Sequence, residues 1–189
     1  MSHQTSSQHP GARVVVLSGN PRTSSRTTTA AVHVAQETAR RLGAEQPVQT
    51  VELARFAAEI LAEAHPTADA ALGTVARATV LVVATPVYKA SYTGLLKAFL
   101  DLYGPGGLSG VVAVPLVVSG NPAHALVGEV HLRPLLVELG AVVPTPSLTL
   151  VESQLTDLEP VVERWWTDGG PALTAQVAAG RAELVEVLA

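Results

Sequence analysis

Short runs of valine and leucine alternate along the chain with longer stretches in which apolar residues recur every three or four positions. Residues 13–17 form the first Val-rich run and read as a strand. Residues 27–42 contain good helix formers and end at Gly43, a C-capping residue. Residues 48–53 alternate apolar and polar positions, as a strand does, and 68–77 read as a helix. "TVLVVA" at 79–84 is a buried strand. Residues 93–103 place Leu95, Leu96, Phe99, Leu100 and Tyr103 at helical spacing, and Gly104 and Pro105 stop that helix. Residues 111–118 form another buried strand, interrupted by Pro115. Asn121 and Pro122 open a helix that runs to Leu139, is closed by Gly140 and is kinked at Pro134. Residues 142–150 make a weaker strand, and its two prolines put it at an edge. Thr156-x-x-Glu159 matches a capping box that opens a last helix carrying Trp165 and Trp166. Gly169, Gly170 and Pro171 break that helix before a short final one.

Five strand-helix units of this kind predict a parallel sheet covered on both faces. Right-handed crossovers leave few topologies, and a five-stranded, doubly wound α/β sheet in the flavodoxin-like order 2-1-3-4-5 leads them. The expectation is one domain over 13–189 behind a flexible polar tail at 1–12. The opening "MSHQTSSQHPGAR" has no apolar segment of the kind a signal peptide needs.

Composition narrows the chemistry. The net charge of −4 argues against a nucleic-acid surface. The chain has no cysteine, which removes disulfides, a thiol nucleophile and Cys-ligated metals. His124 and His131 are seven residues apart without a clear third ligand, so no metal site is expected. His33 and His65 read as exposed. No apolar run reaches the roughly 18 residues of a membrane span. The expected protein is cytoplasmic, with no membrane partner.

In an open parallel sheet, ligands bind at the carboxyl ends of the strands. Three loops fall there: "SGNPRTSSRT", "TPVYKASYTG" and "SGNPAH". The first suits a phosphate. Gly19 allows a turn; Ser18, Thr23, Ser24, Ser25 and Thr27 bring hydroxyls; Arg22 and Arg26 bring charge; and a helix N-terminus follows. Neither GxxxxGK[ST] nor GxGxxG is present, so the loop is neither a Walker loop nor a Rossmann fingerprint. In the second loop, Pro86, Val87 and Tyr88 offer a flat segment that can lie along a planar heterocycle, with its N–H groups on the ring's polar edge. Each loop alone is also compatible with an ordinary polar connection, and Tyr88 and Tyr92 with plain surface aromatics. Lys89 reads as a solvated charge.

Taken together, "SGNPRTSSRT", "ATPVYKASYTGLLKAFLDLYG" and "LRPLLVELGA" resemble the NAD(P)H-dependent FMN reductases of the flavodoxin-like superfamily. The likeness is nearest to reductase components of two-component, alkanesulfonate-type monooxygenase systems and runs over about residues 13–150. It implies that Ser18, Pro21, Arg22, Ser24, Ser25, Arg26 and Thr27 surround the FMN phosphate. It sets Pro86, Val87, Tyr88 and Lys89 beside the isoalloxazine, with Ser91 and Tyr92 nearby, and Ser119, Gly120 and Asn121 as a third wall. Asn20 and Asn121 depart from the family, where Ser or Ala and then Gly are frequent. Several relatives carry a one-residue insertion with Tyr or His at an oligomer interface in the helix after strand four; here the segment is "LVGEVHLRP", and Val130 or His131 takes that position. The implied reaction passes hydride from NADPH or NADH to flavin N5, with reduced FMN leaving for a partner monooxygenase and no catalytic acid or base required. A homodimer or homotetramer is expected, with apolar faces on 94–103 and 132–139 as its contacts.

Two other readings use the same loops. One is a flavoprotein that keeps FMN bound and reduces quinones, azo dyes or metal ions. The other is a flavodoxin-type electron carrier. The modest net charge and the lack of an evident aromatic pair to sandwich a ring count against the carrier.

Overall fold

The computed structural model describes residues 11–188. Most of the expected tail over 1–12 lies outside those residues; within them, Ala12 is buried against the start of the first strand. The strands are β1 (Val14–Ser18), β2 (Gln49–Glu52), β3 (Val80–Pro86), β4 (Val112–Ser119) and β5 (Leu148–Val151). All pair in parallel, in the order β2-β1-β3-β4-β5. The helices are α1 (Arg26–Arg41), α2 (Pro66–Ala76), α3 (Gly94–Leu100), α4 (Arg133–Glu138) and α5 (Glu159–Leu188). None of the described helices is long and apolar enough to cross a membrane.

The Val-rich strands β1, β3 and β4 are apolar until their carboxyl ends because the sheet is covered on both faces. Val15, Leu17, Leu81, Val83, Ala113 and Val117 pack with α2, α3 and α4. Val14, Val16, Val82, Val114, Leu116 and Val118 pack with α1 and α5. Helix α1 lies close to the sheet because the side chains it buries are small: Ala30, Ala31, Ala35 and Ala39 with Val34 and three threonines. In α3, Leu96, Phe99 and Leu100 are fully buried, so this stretch builds the core and is not a free apolar face. Leu126, Val130 and Val137, on the stretch after β4, are among the apolar residues that do face outward, with Leu61 before α2.

Pro115 does not interrupt β4. The Ala113 N–H points toward the β5 side and donates to the Val142 carbonyl at 2.8 Å. The Pro115 nitrogen, two residues on, points the same way. Pairing of β4 with β5 begins only at Leu116 and Leu148, so the missing N–H leaves no gap in the ladder. The strand expected over 142–150 shrinks to β5, and Val142 makes a single bridge to Val112. The prolines at 144 and 146 keep the intervening residues out of the sheet.

The helix expected from Asn121 to Leu139 is broken into three. A 3-10 turn covers Pro122–His124, a π-helical turn covers Gly128–Leu132, and α4 follows. Pro134 follows the π turn without a break, and the irregularity falls on the turn before it, which its ring crowds. A Cβ on Gly128 would meet the Ser147 Cβ at 2.5 Å, so the π turn sits directly on the loop before β5. Glu129 and Arg133 clamp that loop. Glu129 accepts from the Ser147 N–H at 2.5 Å, and Arg133 donates to the Val143 carbonyl at 2.7 Å and to that of Thr145. The Arg133 guanidinium holds the Glu129 carboxyl at about 2.

Helix α5 runs without a break through Gly169, Gly170 and Pro171. The two glycines are packing devices. A Cβ on Gly170 would strike the Trp166 ring at 2.2 Å, and one on Gly169 would meet Thr145 at 3.1 Å. Pro171 is on the exposed side, where water can satisfy the carbonyl its ring leaves free. Thr156 does not cap α5. It ends a 3-10 turn over Glu152–Thr156 and donates to the Ser153 carbonyl, and Leu158 supplies the carbonyl that begins the helix.

Candidate functional site

A cleft of roughly 480 Å³ opens at the carboxyl ends of β1, β3 and β4. Strand order reverses between β1 and β3 there, which leaves a crevice above the sheet. The loop after β1 makes one wall. Asn20, Arg22, Thr23, Ser24, Ser25, Arg26 and Thr27 all line the cleft. Ser25 is the N-cap of α1, and its hydroxyl accepts from the Thr28 N–H at 3.1 Å. Among the described residues the Arg26 and Thr27 amides have no intramolecular acceptor. Two free N–H groups, the positive end of a 16-residue helix and two arginines therefore converge on one end of the cleft. No carboxylate occurs in the first turn of α1 to occupy it.

The shape of this loop comes from bonds within it and from two that are distant in sequence. Buried Asn20 accepts from the Arg22 N–H at 2.9 Å and donates to the Thr27 hydroxyl at 3.1 Å. Ser24 adopts φ 50°, a left-handed conformation that costs a non-glycine residue about 1–2 kcal/mol. Its N–H donates at 2.9 Å to Glu52, a buried carboxylate at the end of β2 that also pairs with Arg55. Gly19 serves a different need from the turn expected of it. Its φ is not left-handed, but a Cβ would sit 2.7 Å from the Leu96 Cβ. The Thr93 hydroxyl caps α3 and donates to the Gly19 carbonyl at 2.6 Å, tying the first loop to the second.

The second wall comprises Pro86, Val87 and Tyr88. Tyr88 and Ser91 pair through two backbone hydrogen bonds, of 2.9 and 3.1 Å, around Lys89 and Ala90. Those two residues have φ of 52° and 61°, the pattern of a tight hairpin turn that normally takes Asn and Gly. The Val87 N–H is bonded to the Val118 carbonyl and the Tyr88 N–H to Ser91. The amides of the flat segment are thus engaged within the protein and are not free to meet a ligand's polar edge. Among the described residues, Tyr88 is the one aromatic in the cleft lining.

The third loop contributes Gly120, with Val118 at the floor. Ser119 is buried; it donates to the Asn121 carbonyl and meets His124 Nδ1 at 3.1 Å. The Asn121 side chain caps the following 3-10 turn. Both residues shape the loop and neither lines the cleft. Ser18 is likewise buried, with its hydroxyl 2.7 Å from that of Thr28. Pro21, Lys89, Ser91 and Tyr92 also lie outside the lining; Tyr92 packs against the core. His131 and Val130 both face outward on the π turn, away from these loops.

Sequence reasoning missed Glu152. It lines the cleft from the turn after β5, and its Oε1 lies 3.0 Å from Arg26 Nη2. It missed Glu52 too. Neither carboxylate belongs to a local motif; the fold brings each to the first loop from another strand end.

The family model for NADPH-dependent FMN reductase matches residues 12–155. FMN reductase (NADPH) of Escherichia coli K12 is 39% identical over 132 residues, covering 68% of each chain. NADH-dependent FMN reductase SfnF of Pseudomonas putida is 34% identical over 128 residues, covering 65% of this chain and 68% of that one. The solved structure of apo NADH:FMN oxidoreductase EMOB superposes with a TM-score of 0.70 at 30% identity, over 91% of this chain and 89% of that one.

Proposed function

The chain belongs to the NADPH-dependent FMN reductase family, and on that premise we propose how its cleft serves the reaction. It is an NAD(P)H-dependent FMN reductase, an oxidoreductase. In our reading the loop over 20–27 holds the FMN phosphate. The free Arg26 and Thr27 amides, Arg22, Arg26 and the Ser24 hydroxyl supply donors there, and Asn20, Ser25 and Thr27 fix the loop's form. Pro86, Val87 and Tyr88 support one face of the isoalloxazine, and the Lys89–Ala90 hairpin turn holds that segment in place. Ser91, Tyr92, Ser119 and Asn121 act through the shape of these loops, Gly120 closes the third wall, and Ser18 and Pro21 brace the first. FMN held there would supply N5 as the hydride acceptor for a reduced nicotinamide. The protein's part is placement, and no side-chain acid or base is required.

The observation that carries this reading is the cleft's polarity. Cationic groups and unpaired amides occupy one end, and a flat, largely apolar segment occupies the other. We further propose that reduced FMN leaves for a flavin-dependent monooxygenase, with the enzyme at work in the cytoplasm, where NAD(P)H is kept. The support is a ring site with a single aromatic, which grips a flavin weakly compared with a stacked pair. Leu126, Val130 and Val137, exposed on one stretch after β4, suit contact with a second copy in a homodimer or homotetramer.

The test is NAD(P)H oxidation by the purified protein, titrated with free FMN, with its visible spectrum recorded beside it. A nearly colourless protein whose rate saturates with added FMN is the expected result. A yellow protein that turns over only with a quinone or dye favours retained FMN, and tight yellow colour without coenzyme oxidation favours an electron carrier.

A further inference from the structure

Arg26 faces two anions. One is the phosphate that the first loop is built to receive, and the other is Glu152, which crosses the mouth of the same cleft to reach it. Arg26 Nη2 and Glu152 Oε1 are 3.0 Å apart. The two residues come from opposite sides: Arg26 from the first turn of α1, Glu152 from the turn that follows β5. Both line the cleft. Their side chains are 68% and 50% exposed, so the pair is held weakly and can open without leaving a charge buried. The contrast with Glu52 is informative. Glu52 is only 7% exposed and spends its oxygens on the Ser24 N–H and Arg55, beneath the loop and away from its open side. Glu52 therefore builds the loop, whereas Glu152 stands where a ligand's charge would arrive.

We propose that Glu152 is an internal competitor for the phosphate subsite and sets how readily flavin leaves. The proposal rests on the phosphate reading given above. A phosphate dianion entering the loop competes with the Glu152 carboxylate for Arg26, and the carboxylate then lies near a second anion. Both effects weaken retention of FMN relative to a site whose arginine is unengaged. Neither acts on riboflavin, which has the same ring and no phosphate. On release, Glu152 closes onto Arg26 again and keeps the arginine aimed across the cleft. A reductase that hands its flavin on as a diffusible product needs this balance, with enough cationic charge to capture FMN and an internal anion to let it go.

The experiment measures FMN and riboflavin affinity for the wild-type protein, Glu152→Gln and Arg26→Ala, at low and moderate ionic strength. Glu152→Gln should bind FMN roughly three- to ten-fold tighter, release it correspondingly more slowly and leave riboflavin affinity within about two-fold. The gain should shrink as salt is raised. Arg26→Ala should weaken FMN and spare riboflavin. Unchanged or weaker FMN binding by Glu152→Gln, or equal tightening of both flavins, overturns the competitor role. If that happens while Arg26→Ala still loses FMN selectively, the phosphate subsite stands and only the competition fails. If Arg26→Ala loses both flavins equally, the phosphate reading falls and the competition with it.

Discussion

The two main walls of the cleft both hold non-glycine residues at positive φ, and they hold them by different means. In the first loop, Ser24 is fixed by a buried carboxylate from β2, inside a frame made by the Asn20 side chain and the Ser25 cap. In the second, Lys89 and Ala90 are held by the two backbone bonds of a surface hairpin. The left-handed conformation costs each residue about 1–2 kcal/mol. On the phosphate wall that strain is locked in by long-range contacts. On the ring wall it is balanced by little, so that hairpin is the easier one to move. A charge site benefits from fixed donors, whereas a wall that must admit a flavin and then a nicotinamide benefits from some give.

The largest expected effect comes from removing the anchor of the first wall. Glu52→Ala strands the Ser24 N–H and frees Arg55, and should cost about 2–3 kcal/mol of stability in urea unfolding. FMN affinity should fall more than riboflavin affinity, because the loop that loses its form is the phosphate wall. If both affinities and the urea midpoint stay at wild-type values, the carboxylate is not what holds the loop. Gly19→Ala comes next. Its Cβ would press on Leu96, and overpacking there should cost about 1–2 kcal/mol, read as a lower melting temperature. A turn-only role for Gly19 predicts no such loss, since its φ suits alanine. The smallest effect should be a gain. Ala90→Gly relieves a left-handed alanine in an exposed hairpin and should stabilise the fold by about 0.5–1 kcal/mol. A loss on Ala90→Gly would mean that the ring wall is held as firmly as the phosphate wall.

The strand order, the five helices and the position of all three loops follow from the apolar rhythm of the chain, because a doubly covered parallel sheet writes itself as Val-rich runs. The donors of the first loop are readable for the same local reason: hydroxyls and arginines directly after a buried strand. What escaped depends on pairs remote in sequence. Glu52 and Glu152 look like ordinary polar ends of weak strands until the sheet brings them to the loop. Gly169 and Gly170 read as breakers because their packing partners, Thr145 and Trp166, are invisible to propensity. The π turn at Gly128 has a similar origin, in the Ser147 contact and the Glu129–Arg133 clamp on the loop before β5. Pro115 reads as an interruption because nothing local reports where β5 begins.

If the first loop binds a phosphate, Arg22 is the exposed cation there to meet it, without an ion pair among the described residues. The most direct test is the affinity of Arg22→Ala for FMN and riboflavin, measured side by side on folded protein. FMN affinity should fall about ten-fold or more, with riboflavin changed less than about two-fold. Equal losses for the two flavins would contradict phosphate binding there.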